Sequence, residues 1–172
     1  GASASFFVPK PFTPFQWAKM CTKEEFLERA AIVRNKFREM LNYKSLRYNW
    51  HEADVTMIEG ILARGDRRLC DTMIKIYEKG GIFAAWSEFF DEQIWLDAFA
   101  EDQIDTDFYT TRVRSEDELF PWDFIDAGVT KNFLLREWHA ANAETVTPNC
   151  RQKCAGCGAM KYKGGVCYEN KN

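Results

Sequence analysis

The pattern of apolar and polar positions first marks a short extended segment. Residues 3–8 run Ser-Ala-Ser-Phe-Phe-Val and stop at Pro9, which predicts a short buried strand. Residues 10–17 contain two more prolines, and each fixes its own φ and biases the preceding residue towards extended geometry. We therefore predict an irregular, aromatic-rich loop. Because ligands of α/β proteins bind at the carboxyl ends of strands, this loop is a candidate ligand-binding segment.

Helical periodicity begins directly after this loop. Thr22 and Glu25 have the spacing of a capping box, which predicts the start of a helix of about 20 residues. Its apolar stripe consists of four residues at helical spacing, Phe26, Ala30, Val33 and Phe37. Residues 45–50 then alternate between apolar and polar side chains and predict a second strand. Strand, helix and strand in this order form a βαβ unit, in which the two strands usually pair in parallel.

The pattern from residue 51 to residue 147 is mostly helical. Helices are predicted from about Ala53 to Arg64, from a cap at Asp66 to about Lys79, from about Glu88 to Glu101 and from a cap at Thr130 to about Ala143. Residues 105–128 are predicted to be irregular. The expected fold is therefore α+β and mainly α, with a βαβ unit in residues 1–50, a helical extension in residues 51–147 and a cysteine-rich tail in residues 148–172.

Composition narrows the class of protein. The 172 residues are 46% hydrophobic and 15% aromatic, enough for a substantial core packed largely by rings. A formal net charge of −3 disfavours nucleic acid as a partner. No apolar run approaches the ~18 residues that span a bilayer, so we expect no membrane partner. The start of the chain within an apolar run predicts a piece of a longer polypeptide, and the cysteine usage favours a cytoplasmic location.

Four cysteines near the carboxyl end provide the strongest candidate chemistry. Their spacing is C-x3-C-x2-C-x9-C, with glycines that let the backbone turn around them. The ligands are predicted to be Cys150, Cys154, Cys157 and Cys167. The tail has too few large apolar residues to form a core, so it needs a staple such as a metal. The bound species is an iron–sulfur cluster or Zn²⁺; the alternatives are local disulfides or free thiols.

The spacing C-x3-C-x2-C is also that of the catalytic cluster in radical S-adenosylmethionine (SAM) enzymes. That cluster lies after the first barrel strand, whereas only 15 residues follow Cys157 here. Gly156 also occupies the position before the third cysteine, where those enzymes usually have an aromatic residue. We therefore interpret the tail as an accessory site rather than as the SAM site.

Two further places along the chain could bind a ligand. A turn between two predicted helices carries three arginines that could hold an anion: Arg64, Arg67 and Arg68. A capped turn with arginines paired to carboxylates is the favoured explanation. His51 follows the second strand and has Glu52 beside it, where a ligand-facing group would lie. A single histidine with acidic neighbours is more often structural.

A series of short motifs runs along the whole chain. They are the strand and loop from Ser5 to Trp17, Glu59-Gly60, Ala63 to Arg68, Trp86-Ser87-Glu88, Pro121-Trp122-Asp123, Gly128-Val129, Phe133 to Glu137 and Cys150 to Gly158. In this order they resemble the C-terminal region of an uncharacterised family of radical SAM proteins with a cobalamin-binding-like domain. Many members have histidine where this chain has Phe12, so a role for a loop histidine is absent here.

The resemblance implies a fold and a function. Residues 1–50 would be the last βα unit of a partial α/β barrel, and the helical extension would close the active site of an enzyme of unknown substrate. The implied substrate-facing residues are Lys10, Gln16, Trp17, Arg64, Arg67 and Arg68. SAM, and cobalamin in some members, would bind only to the full-length parent, so this chain alone would be inactive. Its partner would be the missing N-terminal part of its own polypeptide or a partner subunit.

A second hypothesis comes from a different functional class. The chain could be a non-catalytic helical module that binds a protein or RNA, with the cysteine tail as a structural zinc clip. Iron and sulfide would favour the first hypothesis, whereas one zinc and no colour would favour the second.

Overall fold

A computed structural model describes residues 1–163, and the fold is mainly helical with one small sheet. The strands are β1 (Ala2–Ala4) and β2 (Tyr48–Trp50). The helices are α1 (Lys23–Arg38), α2 (Ala53–Ala63), α3 (Leu69–Glu78), α4 (Glu92–Glu101), α5 (Thr106–Tyr109) and α6 (Lys131–Asn142). The predicted α+β, mainly α class is therefore confirmed.

The two strands pair in parallel, as the βαβ pattern predicts. The register places Ala2, Ser3 and Ala4 opposite Tyr48, Asn49 and Trp50. The first strand is shorter than the predicted segment 3–8, and its first two residues are exposed rather than buried. The apolar residues after it lie outside the strand, and Phe6 stacks on Phe26 of α1 with 4.4 Å between ring centroids.

Helix α1 begins as its sequence predicts. The Glu25 N–H donates to Oγ1 of Thr22 over 3.2 Å, and the Thr22 N–H donates to Oε2 of Glu25 over 2.9 Å, which completes the capping box. Only half of the predicted apolar stripe is buried. Phe26 and Ala30 are 2% and 3% exposed, whereas Val33 is 38% exposed. The carboxyl-terminal half of α1 therefore presents apolar surface to solvent.

The chain divides into two compact units. Unit 1 contains Gly1–Val8 and Lys19–Val113, and unit 2 joins Pro9–Ala18 to the chain from Arg114 onward. These boundaries differ from the three predicted segments, because the proline-rich loop packs with the later part of the chain.

The core of unit 1 is built by α2, α3 and α4. Its buried members include Ile58, Ile61, Leu69, Ile76, Trp95, Ala98 and Phe99. Helix α3 starts at Leu69, and its cap is Arg68 rather than the predicted Asp66, because the carboxylate of Asp66 accepts from the Arg68 N–H in a turn before the helix. Helix α4 starts at Glu92 behind an Asp91 cap, and a short 3₁₀ helix (Ser87–Phe89) occupies the predicted start of this helix. Within the irregular region, Asp105 caps the one-turn helix α5.

Unit 2 is organised around α6. Thr130 caps this helix as predicted, since its hydroxyl oxygen accepts from the Phe133 N–H over 3.2 Å. The buried core contains Trp17, Phe120, Trp122 and Leu134. The proline-rich loop is not wholly irregular, because Pro14–Trp17 forms one turn of 3₁₀ helix. Pro14 stands at its first position, where a missing N–H costs nothing.

None of the helices in the described residues is long and apolar enough to cross a membrane.

Candidate functional site

The predicted substrate-facing residues of the proline-rich loop, Lys10, Gln16 and Trp17, lie in unit 2, and two of the three are buried. Gln16 and Trp17 are each 2% exposed. The Trp122 indole N–H donates to Oε1 of Gln16 over 2.9 Å, and the same oxygen accepts from the Phe12 N–H over 3.2 Å. Lys10 is exposed. Gln16 therefore positions the loop in this unit, and a substrate contact for Lys10, Gln16 and Trp17 stays a prediction.

Phe12 shows how tightly this loop is held. Its φ is +58°, a left-handed conformation that non-glycine residues seldom adopt and that costs energy. The hydrogen bond from its N–H to the buried amide of Gln16 maintains that conformation. Sequence reasoning had no signal for this, because the acceptor belongs to a side chain whose orientation depends on Trp122, more than a hundred positions away.

The first of the three arginines is buried in unit 1. Arg64 is 2% exposed, and its Nη2 donates to the carbonyl oxygen of Thr110 over 2.6 Å. The Met20 N–H donates to the same carbonyl oxygen over 3.0 Å. Because a buried guanidinium needs polar partners, these contacts give Arg64 a structural role that links α2 to two distant segments.

Arg67 and Arg68, the other two arginines of the turn, are exposed. Arg68 pairs with Asp66, with 2.5 Å between Nη2 and Oδ2, and its guanidinium lies 4.5 Å from the ring centroid of Phe108. Hydrogen bonds from Arg68 hold the pKa of Asp66 below its usual range, and the hydroxyl of Tyr109 adds to this effect while burial opposes it. The pairing matches the interpretation of a turn with arginines held by carboxylates.

A cavity of about 480 Å³ beside this turn is acidic. Its lining includes Arg68 together with three carboxylates, Asp71, Asp102 and Asp105. Asp102 is engaged by Lys75 and by the Thr72 hydroxyl, which lower its pKa. Since Arg68 already has a carboxylate partner, this environment disfavours an anion. Anion binding by Arg64, Arg67 and Arg68 stays a prediction.

The tail is docked onto the start of α6 within unit 2. The Thr130 N–H donates to the carbonyl oxygen of Cys157 over 2.9 Å, and the Tyr162 hydroxyl donates to the carbonyl oxygen of Asp126 over 2.8 Å. Lys161 forms an ion pair with Asp126. A Cβ on Gly158, whose φ is +98°, would lie 2.7 Å from the carbonyl oxygen of Gly128. Glycine is therefore required at the turn that follows Cys157.

The three described cysteines of the tail differ in exposure. Cys150 and Cys154 are exposed, whereas Cys157 is partly buried. Cys154 lines a cavity of about 280 Å³ together with Arg136 and Lys153. Arg136 also donates to the carbonyl oxygen of Ala155. Glu137 lines the same cavity, and its Oε1 lies 3.6 Å from Nε of Arg136.

The described part of the tail forms no complete metal site. Within residues 1–163, no three side chains of His, Cys, Asp or Glu are grouped as metal ligands. The fourth predicted ligand, Cys167, lies outside the described residues. Cys150, Cys154 and Cys157 are free thiols here, and metal binding by the four cysteines stays a prediction.

A larger cavity, of about 860 Å³, lies within unit 1 beyond the carboxyl end of β2. Trp50, His51 and Glu52 line it at the end of the strand, and α4 contributes Trp95. One face of α2 lines it through residues at helical spacing, Val55, Ile58, Glu59 and Leu62. The aromatic segment after α3 contributes Ala84, Ala85, Ser87 and Phe90 to the lining.

Sequence reasoning found only part of this cavity. It placed His51 and Glu52 at the carboxyl end of a strand, where ligands of parallel sheets bind. It missed Glu59 and Trp95 as cavity residues. The α2 residues of the lining follow Val55 at spacings of three, four and seven positions, and this helical periodicity could have identified Glu59.

Comparison with protein-family models, with curated protein sequences and with solved structures yields no match to this chain.

Proposed function

We propose that this chain is the C-terminal part of an iron–sulfur enzyme of the radical SAM class. In this role β1, α1 and β2 supply the last βα unit of a parallel barrel, the later helices help to enclose the substrate, and the cysteine tail carries an accessory cluster. The catalytic cluster belongs to the longer polypeptide or to a partner subunit. The chain therefore does not cleave SAM by itself.

The open parallel sheet is the observation that carries this proposal. Within the described residues, β1 pairs only with β2, so each strand has one edge without a neighbour. Parallel sheets occur almost only where further strands and helices bury them, and two strands alone are marginally stable in water. A βαβ unit of this kind is completed by additional parallel strands.

The uncovered half of α1 supports the same proposal. The apolar stripe that starts at Phe26 continues through Val33 to the end of the helix, and Met40 just beyond it is 46% exposed. In a barrel, the helices of successive βα units form an outer ring in which each has neighbours. Such a neighbour would cover this surface, whereas in the chain alone it contacts solvent.

The charges around Cys154 are compatible with an anionic centre. A centre with several cysteine thiolates carries net negative charge, and the cavity that Cys154 lines has two cations, Arg136 and Lys153, against one carboxylate, Glu137, whose Oε1 lies 3.6 Å from Nε of Arg136. Hydrogen bonds from the protein to the ligand residues also tune such centres, and the docked carbonyl of Cys157 fixes the position of its residue. The resemblance to radical SAM proteins is what favours iron and sulfide over zinc.

A zinc clip is the second candidate function, and one observation favours it. The Cys157-Gly158 turn is held against Thr130 at the start of α6, with Gly158 in the left-handed conformation that lets a backbone turn tightly around a metal. A zinc ion there would hold the tail against the start of α6 and would serve a binding module as well as an enzyme.

Anaerobic reconstitution with iron and sulfide tests the cluster. The proposal predicts an absorption band at about 400 nm and stoichiometric iron and sulfide in the wild-type chain. Cys154→Ser and Cys157→Ser should each abolish or strongly reduce the band. Cys70→Ser is the matched control, because Cys70 is an exposed cysteine on α3, outside the tail.

Two outcomes would overturn the proposal. A band that persists in both tail variants but disappears in Cys70→Ser would place the cluster elsewhere. A colourless wild-type chain that binds one zinc through the tail cysteines would replace the cluster with the zinc clip.

A further inference from the structure

The cavity beyond the carboxyl end of β2 has the size of a small-molecule site. Its volume of about 860 Å³ falls in the range of ligand pockets, which are mostly apolar with a few polar groups. Ligands of parallel α/β sheets bind beyond the carboxyl ends of the strands, and His51 and Glu52 lie immediately after β2. All the lining residues belong to unit 1, so the cavity does not depend on the cysteine tail.

The charged side chains of the lining are exposed to solvent. Glu52 and Glu59 are both exposed, and so are His51 and Ser87. Glu59 already has an interaction partner. A charge on the buried part of a ligand would therefore find no charged partner among the buried residues of the described lining, and burial of an unpaired charge is costly.

The buried residues of the lining are Thr56, Ile58 and Trp95. The Thr56 hydroxyl donates to the carbonyl oxygen of Glu52 over 2.9 Å, so its single donor is already used. Trp95 belongs to the core of unit 1, where its ring centroid lies 6.2 Å from that of Phe99. Because Ile58 and the Trp95 ring are apolar, a ligand body that packs against them must be apolar as well.

One polar atom in this wall lacks a partner. Trp95 is only 4% exposed, and no group among the described residues accepts a hydrogen bond from its indole N–H. Buried polar groups are almost always hydrogen-bonded, and an unpaired buried donor is costly. The indole nitrogen donates but does not accept, so the missing partner is an acceptor atom.

We propose that this cavity binds an uncharged organic molecule that has an apolar body and a carbonyl oxygen. The body packs against the apolar lining, and the carbonyl oxygen accepts from the indole N–H of Trp95. A carboxylate could also accept from this N–H, but it would bring an unpaired charge to a buried wall and would be repelled by Glu52. An ammonium group has no acceptor to offer.

Four small probes with one aromatic ring each separate these features. They are acetophenone, ethylbenzene, phenylacetate and benzylammonium: neutral with a carbonyl, neutral without an oxygen, anionic and cationic. Ligand-observed NMR titrations of the full chain at neutral pH measure their affinities. Acetophenone should bind at least about tenfold more tightly than either charged probe, because a charge loses its hydration here without gaining a partner.

The indole N–H of Trp95 reports the hydrogen bond directly. In proton–nitrogen correlation spectra in which this resonance is assigned, acetophenone should move it downfield, whereas ethylbenzene should not. The variant Trp95→Phe keeps a ring at this position and removes the donor. It should weaken acetophenone binding about threefold more than ethylbenzene binding, which is the effect of one neutral hydrogen bond.

Two matched variants place the probes in the cavity. Ala85→Trp adds bulk at an exposed position of the lining and should abolish binding of acetophenone and ethylbenzene. Ala100→Trp is the control, because Ala100 is an exposed alanine on α4 outside the described lining. This variant should bind both probes like the wild type.

The proposal is overturned if either charged probe binds as tightly as acetophenone, or if acetophenone does not bind at millimolar concentration. It is also overturned if acetophenone moves the Trp95 resonance no further than ethylbenzene does, or if Ala85→Trp binds acetophenone like Ala100→Trp. None of these outcomes depends on a metal in the tail, so they leave the iron–sulfur proposal to its own test.

Discussion

Asp66 shows how one carboxylate can define a turn between two helices. It accepts from the backbone N–H of Arg68 over 2.9 Å, pairs with the guanidinium of the same residue, and accepts from the Tyr109 hydroxyl over 3.2 Å. These donors lower its pKa, and in return the carboxylate raises the pKa of the Arg68 guanidinium. The turn is therefore held by charge-assisted hydrogen bonds rather than by apolar contacts.

We predict that Asp66→Asn destabilises the chain by about 1 to 2 kcal/mol at neutral pH, because three donors lose a charged acceptor. The folded pKa lies below the unfolded value of 3.8, so the stabilisation by the carboxylate is complete above that value. It is lost as the pH falls through the lower folded pKa. Urea unfolding should show a difference between wild type and variant that shrinks in acid; a constant difference at every pH would contradict this.

Gly128 determines whether the tail can dock. Its φ is +81°, and a Cβ at this position would clash with the ring of Tyr162. The substitution Gly128→Ala therefore adds a clash to the backbone strain of a left-handed alanine, which alone costs about 1 to 2 kcal/mol. We expect a lower melting temperature and faster alkylation of Cys157 in the metal-free protein, because the tail is released from Thr130.

Gly80 provides the matched control. Its φ of +89° imposes the same backbone strain, but nothing lies within 4 Å of the point that an added Cβ would occupy. Gly80→Ala should therefore destabilise the chain by strain alone and leave the alkylation rate of Cys157 unchanged. Equal alkylation rates in both variants, measured by mass spectrometry of the tail peptide, would show that Gly128 does not hold the tail.

Helix α1, between the two strands of the open sheet, exposes part of its apolar stripe to solvent. Its first turns are buried at Phe26, whereas Val33 on the same stripe is 38% exposed. We predict that Phe26→Ala costs about 3 to 5 kcal/mol in the chain alone. Val33→Ala should cost less than about 0.5 kcal/mol, because it removes mostly solvated surface. Chemical denaturation would measure both, and a large loss for Val33→Ala would mean that this surface is already covered.

The starts of the helices could be predicted from the sequence, whereas the burial of polar side chains could not. The capping signals at Thr22 and Thr130 correctly placed the starts of α1 and α6, because a cap depends only on residues within one turn. Two other features were inaccessible. The burial of Gln16 depends on Trp122, and the burial of Arg64 depends on the carbonyl of Thr110, so both arise from contacts between distant segments. The same limit applies to the cavity, whose walls come from separate segments of the chain.

At the scale of the whole molecule, the sheet should be the weakest part of unit 1. Its strands are short and paired on one edge each within the described residues, whereas α4 is buried at Ala98 and Phe99. We predict by hydrogen-exchange mass spectrometry that peptides covering residues 1–8 and 45–51 exchange much faster than the peptide covering α4. Equal protection would mean that two strands suffice for a stable sheet and would remove the main support for a larger barrel.

The proposed iron–sulfur enzyme is tested most directly by the metal that the protein carries from the cell. Native mass spectrometry of the anaerobically purified chain, with iron, sulfide and zinc analysis of the same sample, identifies it without reconstitution. We predict a mass increase that corresponds to iron with acid-labile sulfide, lost when the tail cysteines are replaced by serine. A chain that carries only zinc, or that carries no metal and keeps its stability in the cysteine variants, would contradict the proposal.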